Sequence, residues 1–196
     1  DEYKKLIKKD IKLKKRKIKL LEEANFYSEE VRRIISEQYG YDQLYKEGLY
    51  IKTALNAEHQ LNALKALREG LQSYDRRHGW RGAIVNLKDK KNWFEVAKKY
   101  SLEKNLGWKL AKVINVEMLE ANIEIENKKN EKIYFKDASW TRKKNFREIL
   151  SSGDIIYVQK NDKKKWALKQ RPIVNGAIVV MDPFTGRVLA LVGGFS

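Results

Sequence analysis

The chain contains no cysteine and only two histidines, His59 and His78, among its 196 residues. The absence of cysteine excludes disulfides, thiolate nucleophiles and zinc–thiolate sites. Two histidines are too few to build a metal site alone, and neither stands at a ligand spacing from carboxylates. We therefore expect neither a metal nor a cofactor to be bound.

Long apolar runs are also absent. No segment approaches the roughly 20 apolar residues that a membrane-spanning helix requires, and no signal-like segment opens the chain. Apolar residues still make up 42% of the sequence, which is enough for the cores of one large or two small domains. The sequence therefore predicts a globular chain with no membrane span of its own.

Positive charge is abundant, with a formal net charge of +16 and a pI near 9.8. Such a balance invites a nucleic-acid interpretation, and attraction to anionic envelope polymers or lipids is equally consistent with it. Much of the excess lies in residues 4–19, where lysines alternate with isoleucine and leucine too irregularly for an amphipathic helix. Because the other lysines are scattered, we do not favour nucleic acid, and we expect residues 1–27 to form a linker.

The last part of the chain predicts a β-hairpin. Residues 175–196 read NGAIVVMDPFTGRVLALVGGFS, two apolar runs separated by a turn. Asp182 can bond its own backbone, Pro183 presets the turn, and Gly186 accepts the positive φ that short hairpins need. An ordinary buried hairpin is one interpretation. Because the chain starts at Asp1 and stops directly after this strand, we expect it to be a segment of a longer protein.

Two helices and a strand are predicted before residue 80. Ser28 is the expected N-cap of the first helix, and Gly40 its end. Residues 41–47 are expected to form a loop, residues 48–55 a strand, and Asn56 the N-cap of a second helix. The predicted apolar positions of the two helices are Val31, Ile34, Ile35 and Tyr39, then Leu61, Leu64, Leu67 and Leu71.

From about residue 107 the apolar periodicity changes to two. Residues 119–126 alternate apolar with polar side chains, and four further short runs of strand character surround them. These runs cover residues 108–116, 133–135, 155–158 and 166–168. Five short strands predict a small Greek-key barrel of the OB-like kind, and the chain is expected to be of the α+β class.

Four ordered motifs resemble a known family. They are FYSEEVRR at residues 26–33, GLYIKTAL at 48–55, YDRRHGWRG at 74–82, and the hairpin sequence. In this order they resemble the 1A type of class A penicillin-binding proteins. The resemblance implies the start of a transpeptidase domain at residues 28–79, an inserted OB-like domain at 80–171, and a returning transpeptidase hairpin at 172–196. The strand at 48–55 and the hairpin are then expected to pair.

Proteins of that family are bifunctional peptidoglycan synthases, with glycosyltransferase and D,D-transpeptidase domains. The resemblance implies a parent held by one helix in the bacterial inner membrane, with this segment on the periplasmic side. Transpeptidation requires Ser-x-x-Lys, Ser-x-Asn and Lys-Thr-Gly motifs. Only Ser101 and Lys104 fit the first, far upstream of the expected nucleophile, and Phe184-Thr185-Gly186 lacks the lysine of the third. We therefore expect no catalytic, cofactor-binding or metal-binding residue, and no activity from this segment.

The implied role is a noncatalytic regulatory or docking portion of such a synthase. The expected partners are the parent's own catalytic domains and a periplasmic or outer-membrane regulatory protein, with peptidoglycan as a further candidate. Trp108 and Trp166 should be core residues, whereas Trp140 could be exposed beside Arg142 and contact a partner. Two alternatives remain open: a basic OB module that binds single-stranded nucleic acid or another polyanion, and an acyl enzyme that uses Ser101.

Overall fold

The computed structural model describes residues 21–126 and 128–196. Residues 1–20, most of the predicted linker, lie outside that range. A 3-10 turn, Glu22–Ala24, runs directly into helix α1, Asn25–Tyr39. Ser28 therefore lies inside the first turn of α1, and its prediction as the N-cap was wrong. Gly40 does end the helix, with φ of 83°.

The segment after α1 differs from the prediction. Most of the predicted loop at 41–47 is a short helix, α2, Tyr41–Lys46. Residues 48–55 form no strand, and their predicted pairing with the hairpin is not found in the described structure. The next residue, Asn56, donates one backbone bond from its N to Leu189 O at 2.9 Å. A strand is stabilised by a ladder of such bonds. GLYIKTAL has strand composition, but no neighbour among the described residues supplies that ladder.

Helix α3, Ala57–Arg76, begins at Asn56 as predicted. The Asn56 Oδ1 accepts hydrogen bonds from Glu58 N at 3.0 Å and His59 N at 3.1 Å, which satisfies two free donors of the first turn. In the predicted apolar stripe, Leu67 and Leu71 are buried, whereas Leu61 is 45% exposed.

Strands β7, Ala177–Met181, and β8, Val188–Gly193, pair antiparallel as the predicted hairpin. In the turn of the hairpin, the Asp182 carboxylate accepts hydrogen bonds from Phe184 N and Thr185 Oγ1, both at 2.9 Å. The bond from Phe184 N, followed by that from Thr185, lowers the pKa of Asp182. Gly186 has the expected positive φ, 70°. The hairpin packs against α3 through buried Ala190 and Val192.

A closed five-stranded barrel lies between α3 and the hairpin in sequence. A short strand, β1, Val85–Asn86, and a helix, α4, Trp93–Ala97, precede it. The barrel strands are β2, Lys109–Val116; β3, Glu120–Ile125; β4, Lys128–Tyr134; β5, Asp154–Lys160; and β6, Trp166–Lys169. Their order is β5-β2-β3-β4-β6, and pairing of β6 with β5 closes the barrel. The predicted α+β class with an OB-like barrel is confirmed.

Two hydrophobic cores hold the chain together. The first fills the barrel, where Phe146, Ile123 and Ile133 are fully buried. The second lies between the barrel and the helix–hairpin unit, and it includes Trp108 and Tyr157 of the barrel region together with Leu67 of α3. Because side chains of both units share this second core, the barrel is packed on the helix and hairpin. Among the residues described, every helix is too short or too polar to traverse a bilayer.

Candidate docking module and its junction

A buried carboxylate joins the two chain connections of the barrel. Asp75, in the last turn of α3, is only 3% exposed. Its carboxylate accepts hydrogen bonds from Arg81 Nη1 at 2.6 Å and from Gln170 Nε2 at 2.8 Å. Arg81 lies where the chain enters the barrel domain and Gln170 where it leaves. One carboxylate therefore ties both connections to the end of α3.

Further bonds complete this cluster of Asp75, Arg81 and Gln170, here termed the Asp75 clasp. The Gln170 Oε1 accepts from Arg81 N at 2.8 Å, and its Nε2 donates to Gly79 O at 3.0 Å. Arg81 Nη2 also donates to Arg171 O at 2.8 Å. The partly buried polar groups are thus paired, which is the condition under which a polar network adds rigidity.

Arg68 forms a second tie between α3, the barrel and the end of the hairpin. The side chain is nearly buried, and its Nε donates to Phe195 O at 3.1 Å. Nη1 donates to Asn105 Oδ1 at 3.1 Å, and Nη2 to Glu103 Oε2 at 2.6 Å. The planar guanidinium contacts three segments at once, so it fixes their relative orientation.

Gln60 joins α3 to the hairpin and to the 3-10 turn before α1. It is fully buried, and its Nε2 donates to Glu23 O at 2.8 Å and Leu191 O at 3.0 Å. Its Oε1 accepts from Leu191 N at 2.9 Å. The side chain therefore mimics a backbone group beside β8. Gln60 lies near the start of α3, Arg68 in its middle and Asp75 in its last turn. Together they bond α3 to the hairpin and to the barrel region at three points along its length.

Ser101 directly follows one 3-10 turn, Lys98–Tyr100, and Lys104 begins the next, Lys104–Leu106; both residues are exposed. Both residues line a cleft of about 410 Å³. Within the described part of the chain, neither the Ser101 hydroxyl nor the Lys104 ammonium has a hydrogen-bonding side-chain partner. A serine nucleophile needs an adjacent base to take its proton. This segment does not provide one.

The packing of the tryptophans agrees with the prediction at two positions and differs at a third. Trp108 and Trp166 are each 8% exposed, which confirms their expected place in the core. Trp140 is half-buried, so the expectation of an exposed ring was wrong. It packs edge-on against Trp80, with ring centroids 6.0 Å apart, and the Arg76 guanidinium lies 5.4 Å from its ring centre. Arg142 is exposed, as expected for a surface group.

The barrel face that OB folds use for oligonucleotides carries charges of both signs here. That face lies on the second and third strands of an OB barrel, which are β3 and β4 in this chain. The side chains of β3 that alternate with its buried positions are Glu120, Asn122 and Glu124. Single-strand binders place stacking rings and cations on this face. Here the carboxylates of β3 stand beside Lys132 and Tyr134 of β4, and the Lys132 ammonium is paired with Glu120. The high net charge of the chain is therefore not concentrated on that face.

One end of the barrel carries exposed apolar side chains. Ile114, Met118 and Leu119 are 46%, 55% and 68% exposed, and are here termed the barrel-end patch. The backbone beneath them is fixed, because Phe135 N donates to Leu119 O at 2.8 Å and Phe146 N to Met118 O at 3.0 Å. Leu119 also borders a cleft of about 570 Å³ whose lysines are Lys136, Lys163 and Lys165. The patch is apolar, its backbone is hydrogen-bonded, and the cleft beside Leu119 carries these lysines together with Asp137 and Asp162.

A five-stranded barrel follows α3 in sequence and leads into a hairpin. This arrangement corresponds to a known domain family. Residues 80–174 match the family model of the penicillin-binding protein OB-like domain. The chain is 38% identical over 199 aligned residues to penicillin-binding protein 1A of Rickettsia prowazekii, covering 100% of this chain and 25% of that protein. It is 29% identical to penicillin-binding protein 1A of Neisseria gonorrhoeae, covering 90% of this chain and 23% of that one.

The fold comparison agrees. The crystal structure of penicillin-binding protein 1A from Haemophilus influenzae matches 100% of this chain and 29% of its own, with a TM-score of 0.72 and 27% sequence identity. The chain belongs to the penicillin-binding proteins of the 1A type, as the ordered motifs indicated. It spans about a quarter of the length of the curated relatives it matches.

Proposed function

We propose that this chain is a noncatalytic regulatory and docking portion of a bifunctional peptidoglycan synthase. The whole protein would act in cell-wall biosynthesis as a glycosyltransferase and D,D-transpeptidase. It would be held in the inner membrane by a single helix, with these residues on the periplasmic side. Residues 28–79 and 172–196 would begin the transpeptidase domain, and residues 80–171 would form the inserted barrel domain.

The Asp75 clasp is the observation that carries this proposal. A flexibly tethered barrel would present its surface in many orientations, and binding would have to offset that lost freedom. Here both connections are tied to one buried carboxylate, and a shared core lies beneath them. A partner that binds the barrel would therefore act on a body already aligned with the start of the transpeptidase domain.

The barrel-end patch is the surface that we assign to docking. Exposed apolar groups rimmed by polar residues are typical of protein interfaces. The three apolar residues project from a backbone that hydrogen bonds hold in place. The cleft beside Leu119 has three lysines and two aspartates, and this small excess of positive charge favours acidic groups at the edge of the partner. We propose a periplasmic or outer-membrane regulatory protein as this partner. The parent's own catalytic domains and peptidoglycan are the other candidates.

The test is affinity capture from solubilised cell envelopes with the full chain immobilised. We expect specific proteins to be retained by the wild type, and Leu119→Ser to reduce their recovery at least about tenfold, the loss of one central apolar anchor. Phe184→Ser is the matched control, because Phe184 is also apolar and 96% exposed but lies in the hairpin turn. Recovery of nothing above background, or equal recovery by Leu119→Ser, would contradict docking through this patch.

A further inference from the structure

A large cleft lies between α3 and the barrel, with a volume of about 650 Å³. One wall is the face of α3 that carries Gln72, Ser73 and Arg76, and the other is formed by Trp108 and Lys169 of the barrel region. Lys169 also borders the adjoining cleft of about 530 Å³ beside the Asp75 clasp. Arg76 and Lys169 thus line one cavity from opposite walls, and its other charged lining residues are Glu23, Lys65, Arg68 and Glu69.

Neither cation has an anionic partner among the described residues. In residues 21–126 and 128–196, no carboxylate lies within 4.0 Å of the Arg76 guanidinium or the Lys169 ammonium, although both side chains are half-buried. The other two arginines that bridge α3 and the barrel are paired, Arg68 with Glu103 and Arg81 with Asp75. Buried charges are normally paired. Arg76 and Lys169 depart from that rule within the described structure.

Aromatic rings offset only part of the free-energy cost of holding these two cations half-buried without an anionic partner. Arg76 Cζ lies 5.4 Å from the centre of the Trp140 ring, and Lys169 Nζ lies 5.8 Å from that of Trp108. Such contacts stabilise a cation less than a charge-assisted bond to an anion does in a desolvated site. Each cation thus has an aromatic ring on one side, and both cations line the cleft.

The two cations also act on each other. Burial, followed by the charge of Arg76, lowers the pKa of Lys169 from its usual range to about 8. Burial lowers the pKa of Arg76 as well. Two like charges held together in a half-buried cleft raise the free energy of the unliganded state, and an anion between them would relieve that repulsion.

We propose that Arg76 and Lys169 form a binding site for an oxyanion, a carboxylate or phosphate group, in the cleft between α3 and the barrel. The planar guanidinium can donate two parallel hydrogen bonds to such a group, and the ammonium supplies a second positive charge from the opposite wall. This site lies at the junction, away from the barrel-end patch, and it does not depend on the proposed docking function. An anion bound here would add a further tie between the barrel and α3.

The experiment is a titration of the full chain, monitored by tryptophan fluorescence because Trp108 and Trp140 contact the two cations. The probes are succinate and inorganic phosphate, each at constant ionic strength balanced with sodium chloride. We expect a saturable change, with affinity at least about tenfold lower in Lys169→Gln and in Arg76→Gln, a loss of about 1.4 kcal/mol. Response to succinate alone assigns the site to carboxylates, and response to phosphate alone to phosphates.

Lys165→Gln is the matched control. Lys165 Nζ also lies over an aromatic ring, 4.9 Å from the centre of Tyr134, but it is exposed at another part of the barrel. We expect it to bind both probes as the wild type does. The variants at Arg76 and Lys169 each remove a repulsive charge, so we expect them to stay folded, which a thermal melt checks. No saturable response to either probe, or equal affinity in all variants, would overturn the proposal.

The pH dependence gives a second readout. An oxyanion favours the charged lysine, so binding raises the pKa of Lys169 above its free value of about 8. Succinate affinity should therefore be greatest below pH 8 and fall by up to about tenfold per pH unit above it. In Lys169→Gln this dependence should vanish. The other charged side chains of this cleft and the adjoining one are Glu23, Lys65, Arg68, Glu69, Arg81 and Arg171.

Discussion

Asp75→Ala is expected to lower the free energy of unfolding by about 2–3 kcal/mol, because it removes the buried acceptor of two side-chain hydrogen bonds while Arg81 stays partly exposed to water. The substitution leaves the Arg81 guanidinium without its carboxylate and frees one bond of Gln170. Both groups lie where the barrel joins α3, so the loss should also weaken the attachment of the barrel. Urea unfolding, followed by far-UV circular dichroism, measures the change.

Asp42→Ala is the control for this substitution. Asp42 is paired with Lys46 at 2.9 Å, but both side chains are largely exposed, at 78% and 72%. An exposed pair of this kind contributes less than about 1 kcal/mol. Asp75→Asn should fall between the two, because its amide oxygen can still accept from Arg81 or Gln170. A loss below about 1 kcal/mol for Asp75→Ala would show that the clasp does not hold the junction.

Gly153→Ala is expected to destabilise the barrel by about 3 kcal/mol or more, the sum of a strained backbone and an overpacked contact. Gly153 has φ of +90°, and a Cβ there would lie 2.5 Å from Lys88 Cα and 2.7 Å from Lys88 N. The backbone at residue 153 is not free to move away from Lys88, because two hydrogen bonds hold it. Gly153 N donates to Val113 O and Gly153 O accepts from Leu87 N, both at 2.8 Å. The new methyl group must therefore break the contact between the β1 segment and β5.

Gly70→Ala is the matched control, since Gly70 lies in α3 without a positive φ, and a methyl group added there would meet no described neighbour outside its own helix within 4 Å. Alanine should there raise the free energy of unfolding by about 0.5–1 kcal/mol, because it restricts the unfolded chain and favours helix. Both variants are compared by urea unfolding. If Gly153→Ala were as stable as the wild type, the close approach of residue 88 to residue 153 would be wrong.

Local sequence signals predicted the elements whose stability is local. Asn56 marks the start of α3 because its side chain bonds the next turn, and Asp182 with Gly186 marks the hairpin turn for a similar reason. Strand β3 was predictable because only one of its faces is buried, which imposes a period of two. Strands β5 and β6 were predictable as short apolar runs, because both of their faces are buried. Residues 48–55 were mispredicted because strand composition says nothing about whether a pairing partner is present.

The junction was not predictable from local patterns. Asp75 and Gln170 are 95 residues apart in sequence, and nothing near either residue indicates the other. One signal was present: Gln60, Arg68 and Asp75 recur at intervals of eight and seven on the same face of α3 as Leu67 and Leu71. Polar side chains inside an apolar stripe must find buried partners. That pattern predicts a polar junction without naming the residues that complete it.

The most direct test of the fixed barrel orientation is backbone ¹⁵N relaxation of the full chain, which reports how each amide tumbles. If the Asp75 clasp, Arg68 and the shared core hold the barrel on α3, amides of β2–β6 and of α3 with the hairpin will fit one rotational diffusion tensor. Two distinct tensors, with faster tumbling of the smaller unit, would show a barrel on a flexible hinge and would contradict a prealigned docking module.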